Sequence, residues 1–299
     1  MREKIHTNKY PVGRFAPSPT GPLHSGSVIA ALASYLHSRK QHGKWLLRID
    51  DIDLLRNQTG AAEHILGTLE ALGMVWDDEV IYQSRRMSIY REILADLESR
   101  QLVYPCSCTR SETKGRAYPG FCRTGIKRNR KSCALRILTD DRIIRFIDRI
   151  QGDVSQCLQE VSGDFIIKRS DGHIAYHLAT VIDDHLQGVT EIVRGTDLLD
   201  STPRQIYLQQ LLGYSRPDYV HHPVALNREG QKISKQNQAP AIDSKDGPEI
   251  LFQALMFLGQ SPDPDLRNGS CQEILNWGRK HWNIDAVPEN DRVLLQTRA

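Results

Sequence analysis

The sequence predicts an α/β protein built on a parallel sheet that an insertion divides into two halves. Three observations carry that prediction. Strand-like apolar segments alternate with helical spacings through residue 102, the rhythm stops after Val103 in a stretch rich in Cys, Gly and Arg, and it resumes at Tyr176. The implied organisation is a first half-sheet over 1–102, an insertion over 103–173, a second half-sheet over 174–240 and a short helical C-terminal region over 241–299. A chain of 299 residues is long enough to bury the core this requires.

Taken in order, residues 11–16 form the first strand, which ends in the turn Pro17-Ser18-Pro19-Thr20-Gly21-Pro22. Across 24–42, Val28, Leu32 and Leu36 recur at helical spacing. Residues 45–49 read as a second buried strand, and 59–72 and 84–100 as amphipathic helices, the latter with Ile89, Ile93 and Leu97 on one face. Within the insertion, 143–147 and 165–168 are strand-like. Beyond Tyr176 come a helix near 178–183, a strand at 189–193 and a helix over 203–212, where Pro203 suits the first turn. After Lys235 only helical stretches at 249–258 and 271–282 remain, too little for another large domain.

Composition excludes some classes without naming a function. Hydrophobic residues at 39% and charged residues at 25% separate the chain from disordered and membrane proteins. The first eight residues are polar with mixed charge, and no stretch approaches bilayer-spanning length, so no membrane partner and a cytoplasmic location are expected. A net charge of +3 permits an RNA partner without arguing for one. Of the six cysteines, three fall in one short window, which points to a metal site in a reducing compartment rather than a disulfide framework.

Two motifs carry phosphate chemistry. The first, Arg14-Phe15-Ala16-Pro17-Ser18-Pro19-Thr20-Gly21-Pro22-Leu23-His24-Ser25-Gly26-Ser27, lies where a first strand meets a first helix. Amides at a helix N-terminus lack intrahelical partners and carry partial positive charge, Gly26 admits a flat group to the backbone, and His24 donates to a phosphate. The second, Lys232-Ile233-Ser234-Lys235-Gln236, sets two lysines three apart in a loop rich in Asn, Gln and Gly, suited to neutralising phosphates. A third constellation is Cys106-Ser107-Cys108 followed by Tyr118 and Cys122. Three thiolates need a fourth ligand for tetrahedral zinc, and Cys133 is the first guess from the residues alone; three reduced cysteines without metal are the alternative. Between Arg123 and Arg136 the chain carries Lys127, Arg128, Arg130 and Lys131 with no acidic residue, either an RNA-gripping cluster or a solvated basic loop.

With R-I-D-D-I-D from Arg48 to Asp53 and Y-H-L-A-T-V-I-D-D-H-L-Q-G-V-T-E-I-V-R-G from Tyr176 to Gly195, these motifs resemble the glutamyl branch of the class I aminoacyl-tRNA synthetases. The likeness is greatest to its short bacterial members that act on a queuosine base, and it spans residue 12 to about residue 241. It implies a Rossmann-like sheet split by a zinc-binding α+β insertion, a short helical tail and no anticodon-binding domain. It also implies that Arg14, Tyr176 and Arg194 meet the glutamate side-chain carboxylate, for which guanidinium forks are well suited. Ala16 lines the same site, Ser18 and Asp50 hold the α-amino end, His24, Gly26 and Lys235 face ATP, and Tyr118 rather than Cys133 completes a structural zinc with Cys106, Cys108 and Cys122. Two departures stand out: Asp50 occupies a position where the family usually has Glu, and Ser27 stands in place of a second histidine.

The implied reaction is attack of the glutamate α-carboxylate on the α-phosphorus of ATP, with departure of magnesium-bound pyrophosphate, followed by attack of an RNA hydroxyl on the mixed anhydride. No protein nucleophile is needed; His24, Lys232 and Lys235 hold and neutralise the phosphoryl oxygens. Full-length relatives carry a large helical anticodon reader after the lysine loop, whereas about sixty residues follow Lys235 here. The expected RNA partner is therefore tRNA(Asp) carrying queuosine, whose cyclopentene diol resembles the diol of a terminal ribose, and a monomer is expected. The alternatives are a tRNA(Glu)-charging core that borrows an anticodon reader in trans and a non-catalytic RNA-binding paralogue.

Overall fold

The structure is a computed structural model that describes residues 10–113, 117–126, 133–233 and 242–295. Lys235, with the rest of its motif from Ser234 on, and the basic residues Lys127, Arg128, Arg130 and Lys131 lie outside the described residues.

The first half contains β1 (Val12–Phe15), α1 (Ser25–Lys40), β2 (Lys44–Ile49), α2 (Ala61–Ala71), β3 (Asp77–Tyr82) and α3 (Met87–Ser99). β1 and β2 pair in parallel from Val12↔Lys44 to Phe15↔Leu47, and β3 adds beyond β2. α1 is buried on nearly every side, from Val28 to Ser38, because its small Ala and Ser residues let neighbouring elements approach. On α3 the stripe that faces inward is Tyr90, Leu94 and Leu97, with the expected Ile89 and Ile93 only flanking it. That rotation follows the hydroxyl of Tyr90, which donates to the buried carboxylate of Asp183 at 2.5 Å.

Next come β4 (Val103–Cys106), the single-turn α4 (Arg110–Thr113), β5 (Ala134–Ile137), β6 (Ile143–Asp148), β7 (Gly152–Cys157), the single-turn α5 (Leu158–Val161) and β8 (Ile166–Lys168). β4, β5 and β8 form a separate antiparallel sheet. It is tied together by Asp164, whose carboxylate receives the Tyr104 hydroxyl at 2.6 Å, both arms of Arg123 at 2.6 Å and the Thr139 amide at 2.8 Å. The β6–β7 hairpin instead joins the main sheet, β6 lying parallel to a later strand.

The second half holds α6 (Tyr176–Leu186), β9 (Glu191–Gly195), α7 (Thr202–Leu212), β10 (Asp218–His222) and β11 (Val224–Leu226), and the C-terminal region holds α8 (Gly247–Phe257), α9 (Cys271–His281) and β12 (Arg292–Leu294). β9 and β10 are parallel, in register from Asp218↔Glu191 to His222↔Gly195. The two halves meet where β1 runs beside β9: the Thr190 amide donates to the Val12 carbonyl at 2.9 Å, and the Val12 amide donates to the Thr190 hydroxyl at 2.8 Å. Alternation along the strands sorts side chains onto two faces. Val193 and Val220 join α1, α8 and α9 in one core, while Ile192 and Tyr219 join α3, α6 and α7 in the other. Among the described residues no helix is long and apolar enough to cross a membrane.

Candidate active site

A cavity of about 440 Å³ opens at the C-terminal ends of β1, β2, β9 and β10, at the first turn of α1. The reversal of strand order between β1 and β9 leaves a crevice there, the usual place for a ligand in an open α/β sheet. Its lining includes Arg14, Ala16, Ser18, Asp50, Tyr176 and Arg194, and also His24, Gly26 and Lys232. Every expected amino-acid and nucleotide residue within the described residues thus faces one space; Lys235 alone lies outside them.

Arg14, Arg48, Asp50 and Asp184 form a guanidinium–carboxylate network beside the cavity. Asp184 Oδ1 accepts from Arg14 Nε at 3.1 Å and from Arg48 Nη1 at 2.7 Å, and Arg48 Nε donates to Asp50 Oδ1 at 2.7 Å. Burial pushes the Asp184 carboxyl upward, but Arg14 and Arg48 outweigh it and hold the group below its ordinary value. For Asp50 burial prevails over Arg48, and its pKa rises to about 6. Neither Asp184 nor the fully buried Arg48 was singled out from the sequence. The R-I-D-D-I-D and V-I-D-D-H runs contained them, but both Asp183 and Asp184 are buried, and which of the two meets Arg14 and Arg48 depends on packing across the sheet that local pattern does not reveal.

Arg194 is held differently. Its Nε donates to His221 Nε2 at 3.0 Å and its Nη2 to Thr202 Oγ1 at 2.9 Å and Gln205 Oε1 at 2.8 Å, while the buried Nη1 has no protein partner among the described residues. Read alone, this arginine could equally have paired with a nearby Asp; the structure gives it neutral acceptors. Tyr176 opens α6 and lines the cavity rather than the core.

At the first turn of α1, His24 caps the helix: its Nδ1 accepts the Ser27 amide at 3.2 Å and its Nε2 lies 3.1 Å from the Ser27 hydroxyl. With Nδ1 accepting, the proton of the neutral ring belongs on Nε2, the atom able to donate to a phosphate. A Cβ on Gly26 would lie 3.0 Å from the Ile233 carbonyl, so the two phosphate motifs touch at that glycine. Lys232 Nζ pairs with Asp197 Oδ2 at 2.5 Å, a partner the sequence did not suggest. His222 adds a further polar group to the cavity: its Nδ1 donates to the Pro223 carbonyl at 2.8 Å, and its buried Nε2 has no protein partner among the described residues.

Away from this cleft, the sulfurs of Cys106, Cys108 and Cys122 lie within 4.8 Å of one another. The Tyr118 hydroxyl sits among them, 3.3 Å from Cys106 Sγ and 3.5 Å from Cys108 Sγ, while Cys133 is not part of the group. Tetrahedral zinc with Zn–S bonds of roughly 2.3 Å separates its sulfurs by about 3.8 Å. The Cys108–Cys122 distance is 3.7 Å, so the donor set fits such an ion. Arg136 backs the cluster, its Nε donating to Cys106 Sγ at 3.2 Å and its guanidinium 3.8 Å from the Tyr118 ring centre.

The chain is similar to known proteins over nearly its whole length. The class I tRNA synthetase (E and Q) catalytic domain family matches residues 12–118 and 122–276. A glutamyl-Q tRNA(Asp) synthetase of Dechloromonas aromatica (strain RCB) is 47% identical over 293 residues, covering 95% of this chain and 97% of that one. One from Escherichia coli (strain K12) is 48% identical over 289 residues, covering 96% and 94%. Among solved structures, a glutamate tRNA ligase from Elizabethkingia meningosepticum CCUG26117 in complex with its amino acid superimposes with a TM-score of 0.78 at 27% identity, covering 97% of this chain and 67% of that one.

Proposed function

The chain belongs to the class I tRNA synthetases for E and Q, and within them to the glutamyl-Q tRNA(Asp) synthetases, and from that membership we propose that it activates L-glutamate with ATP and transfers it to the queuosine base of tRNA(Asp). The observation that carries this reading is the single cavity lined by both the carboxylate-binding and the phosphate-binding residues. Arg14, Tyr176 and Arg194 hold the side-chain carboxylate, and Asp50 and Ser18, with Ala16 beside them, hold the α-amino end. His24, Gly26 and the lysines Lys232 and Lys235 attend the triphosphate. The glutamate α-carboxylate oxygen bonds to the α-phosphorus as the bond to pyrophosphate breaks, and a queuosine hydroxyl then displaces AMP to form the ester. Mg²⁺ accompanying ATP would supply charge neutralisation at the pyrophosphate leaving group. The protein's part is alignment and charge stabilisation.

One structural zinc held by Cys106, Cys108, Tyr118 and Cys122 completes the proposal. It pins a small sheet whose own cluster of buried residues, among the described residues, is Tyr104, Cys106, Tyr118 and Cys122. Metal analysis of freshly purified, unchelated protein is expected to give about one zinc per chain; none would remove the ion from the account. A cytoplasmic monomer fits this role.

The function is tested in two steps. ATP–pyrophosphate exchange with glutamate alone reports activation, and a non-catalytic paralogue gives none. Incubation with radiolabelled glutamate, ATP and tRNA(Asp) with or without queuosine, followed by nuclease mapping, is expected to place the label on the anticodon base only when queuosine is present. Label on a terminal adenosine of tRNA(Glu) would support a charging enzyme instead.

A further inference from the structure

We propose that His221 and Asp148 are positioning residues that hold Arg194 as a fixed, uncompensated receptor for the substrate carboxylate and so set the preference for an acid over its amide; this rests on the reading of Arg194 as a glutamate-binding residue. The three side chains come from adjacent strands, Asp148 on β6, His221 on β10 and Arg194 on β9, with His221 directly opposite Arg194 and Asp148 opposite Tyr219. All three are buried, Asp148 at 1%, His221 at 0% and Arg194 at 5% exposure.

The hydrogens follow from what each group can do. A guanidinium only donates, so His221 Nε2, 3.0 Å from Arg194 Nε, is an acceptor and carries no proton. The ring proton therefore sits on Nδ1 and is donated to Asp148 Oδ2 at 2.6 Å. Asp148 is itself fixed, its Oδ1 accepting the amides of His221 at 3.2 Å, Ile150 at 3.1 Å and Gln151 at 2.9 Å. Burial, with Arg194 beside it, holds His221 down to about 4 against the pull of Asp148, so the ring is neutral in the working pH range. Thr202 and Gln205 occupy Nη2 and fix the guanidinium's orientation; among the described residues its Nη1 has no protein partner, in a side chain that lines the cavity.

The interposed imidazole matters for charge. Arg14 and Arg48 share carboxylates with Asp184 and Asp50, but Arg194 has none in direct contact among the described residues. Direct pairing with Asp148 would have oriented it equally well and cancelled the attraction an incoming anion needs. A neutral relay orients without cancelling. A carboxylate then meets an unspent buried charge, whereas an amide gains a hydrogen bond and leaves that charge unpaired.

The test is ATP–pyrophosphate exchange at varied glutamate, glutamine and ATP with wild type, Arg194→Ala, His221→Leu and His221→Gln. His221→Leu is expected to raise the KM for glutamate about tenfold or more, to narrow the glutamate-over-glutamine preference and to leave the KM for ATP within about twofold. His221→Gln, whose amide oxygen can accept from Arg194 Nε, is expected to recover most of the loss. The relay is overturned if His221→Leu leaves glutamate KM unchanged while Arg194→Ala raises it. It is equally overturned if His221→Leu raises the KM for glutamate and ATP alike and His221→Gln is no better, which is what a merely structural role gives. An unchanged KM in Arg194→Ala would instead bring down the carboxylate-receptor reading, and the relay with it. Should His221→Leu strand the buried Asp148 and unfold, the double variant with Asp148→Asn is read in the same way.

Discussion

Asp50 offers the clearest pH signature in the cleft. Its carboxyl is raised from 3.8 to about 6 because burial outweighs Arg48. A raised acid takes up its proton at higher pH than usual, so as pH falls through 6 the group goes neutral and stops attracting an ammonium. The KM for glutamate is therefore expected to climb below about pH 6, in the wild type but not in Asp50→Asn, whose KM starts high and stays flat. Steady-state exchange between pH 5 and 8 reads this directly; a wild-type KM that is level across the window would remove Asp50 from the amino site. At this scale the lining was legible in the sequence because Arg14, His24, Gly26 and Lys232 sit in ordered motifs. Their partners were not. Asp184 lies 170 positions from Arg14 and Asp197 lies 35 from Lys232, and no local spacing encodes contacts made across a sheet.

Elements that carry an apolar period were legible and those that lack one were not. The spacing of Val28, Leu32 and Leu36 announces α1, but β3, Asp-Asp-Glu-Val-Ile-Tyr, is a half-exposed edge strand with three acids and shows no strand pattern. β10 was missed for a related reason: its two histidines read as polar although both are buried. At Gly163 the element scale makes a sharp prediction. Its φ is +62°, and an added Cβ would lie 2.0 Å from the Tyr118 carbonyl oxygen, beside the cysteine cluster. Gly163→Ala is expected to destabilise the protein by about 2 kcal/mol or more and to displace Tyr118. Lower zinc content on metal analysis, together with an earlier urea midpoint, checks it; a fully metal-loaded variant of wild-type stability contradicts it.

For the whole molecule, an α/β fold with a parallel sheet was legible because apolar strand segments alternate with helical spacings. What composition hid is that part of the 103–173 segment returns to the main sheet: β6 lies against β10 and carries Asp148 to His221. The C-terminal helices likewise share one core with α1, through Leu251, Leu255, Ile274 and Leu275, so they brace the helix whose first turn faces the cavity. Truncation after residue 246 is expected to unfold the rest of the chain rather than free it, read as loss of cooperative melting; a truncated chain with native exchange activity would refute the bracing.

The join between β1 and β9 has a thermodynamic consequence. Its two hydrogen bonds lie at the N-terminal ends of β1 and β9, one of them accepted by a threonine hydroxyl, and among the described residues the two strands form no ladder toward the C-terminal ends where the cleft opens. An occupant held between Arg14 on one side and Arg194 on the other, as proposed, would act as mortar across that seam. Saturation at a hundred times its dissociation constant adds about 2.7 kcal/mol to the native state. Calorimetry should therefore find that glutamate with a non-hydrolysable ATP analogue raises the melting temperature, with the gain blunted in Arg194→Ala.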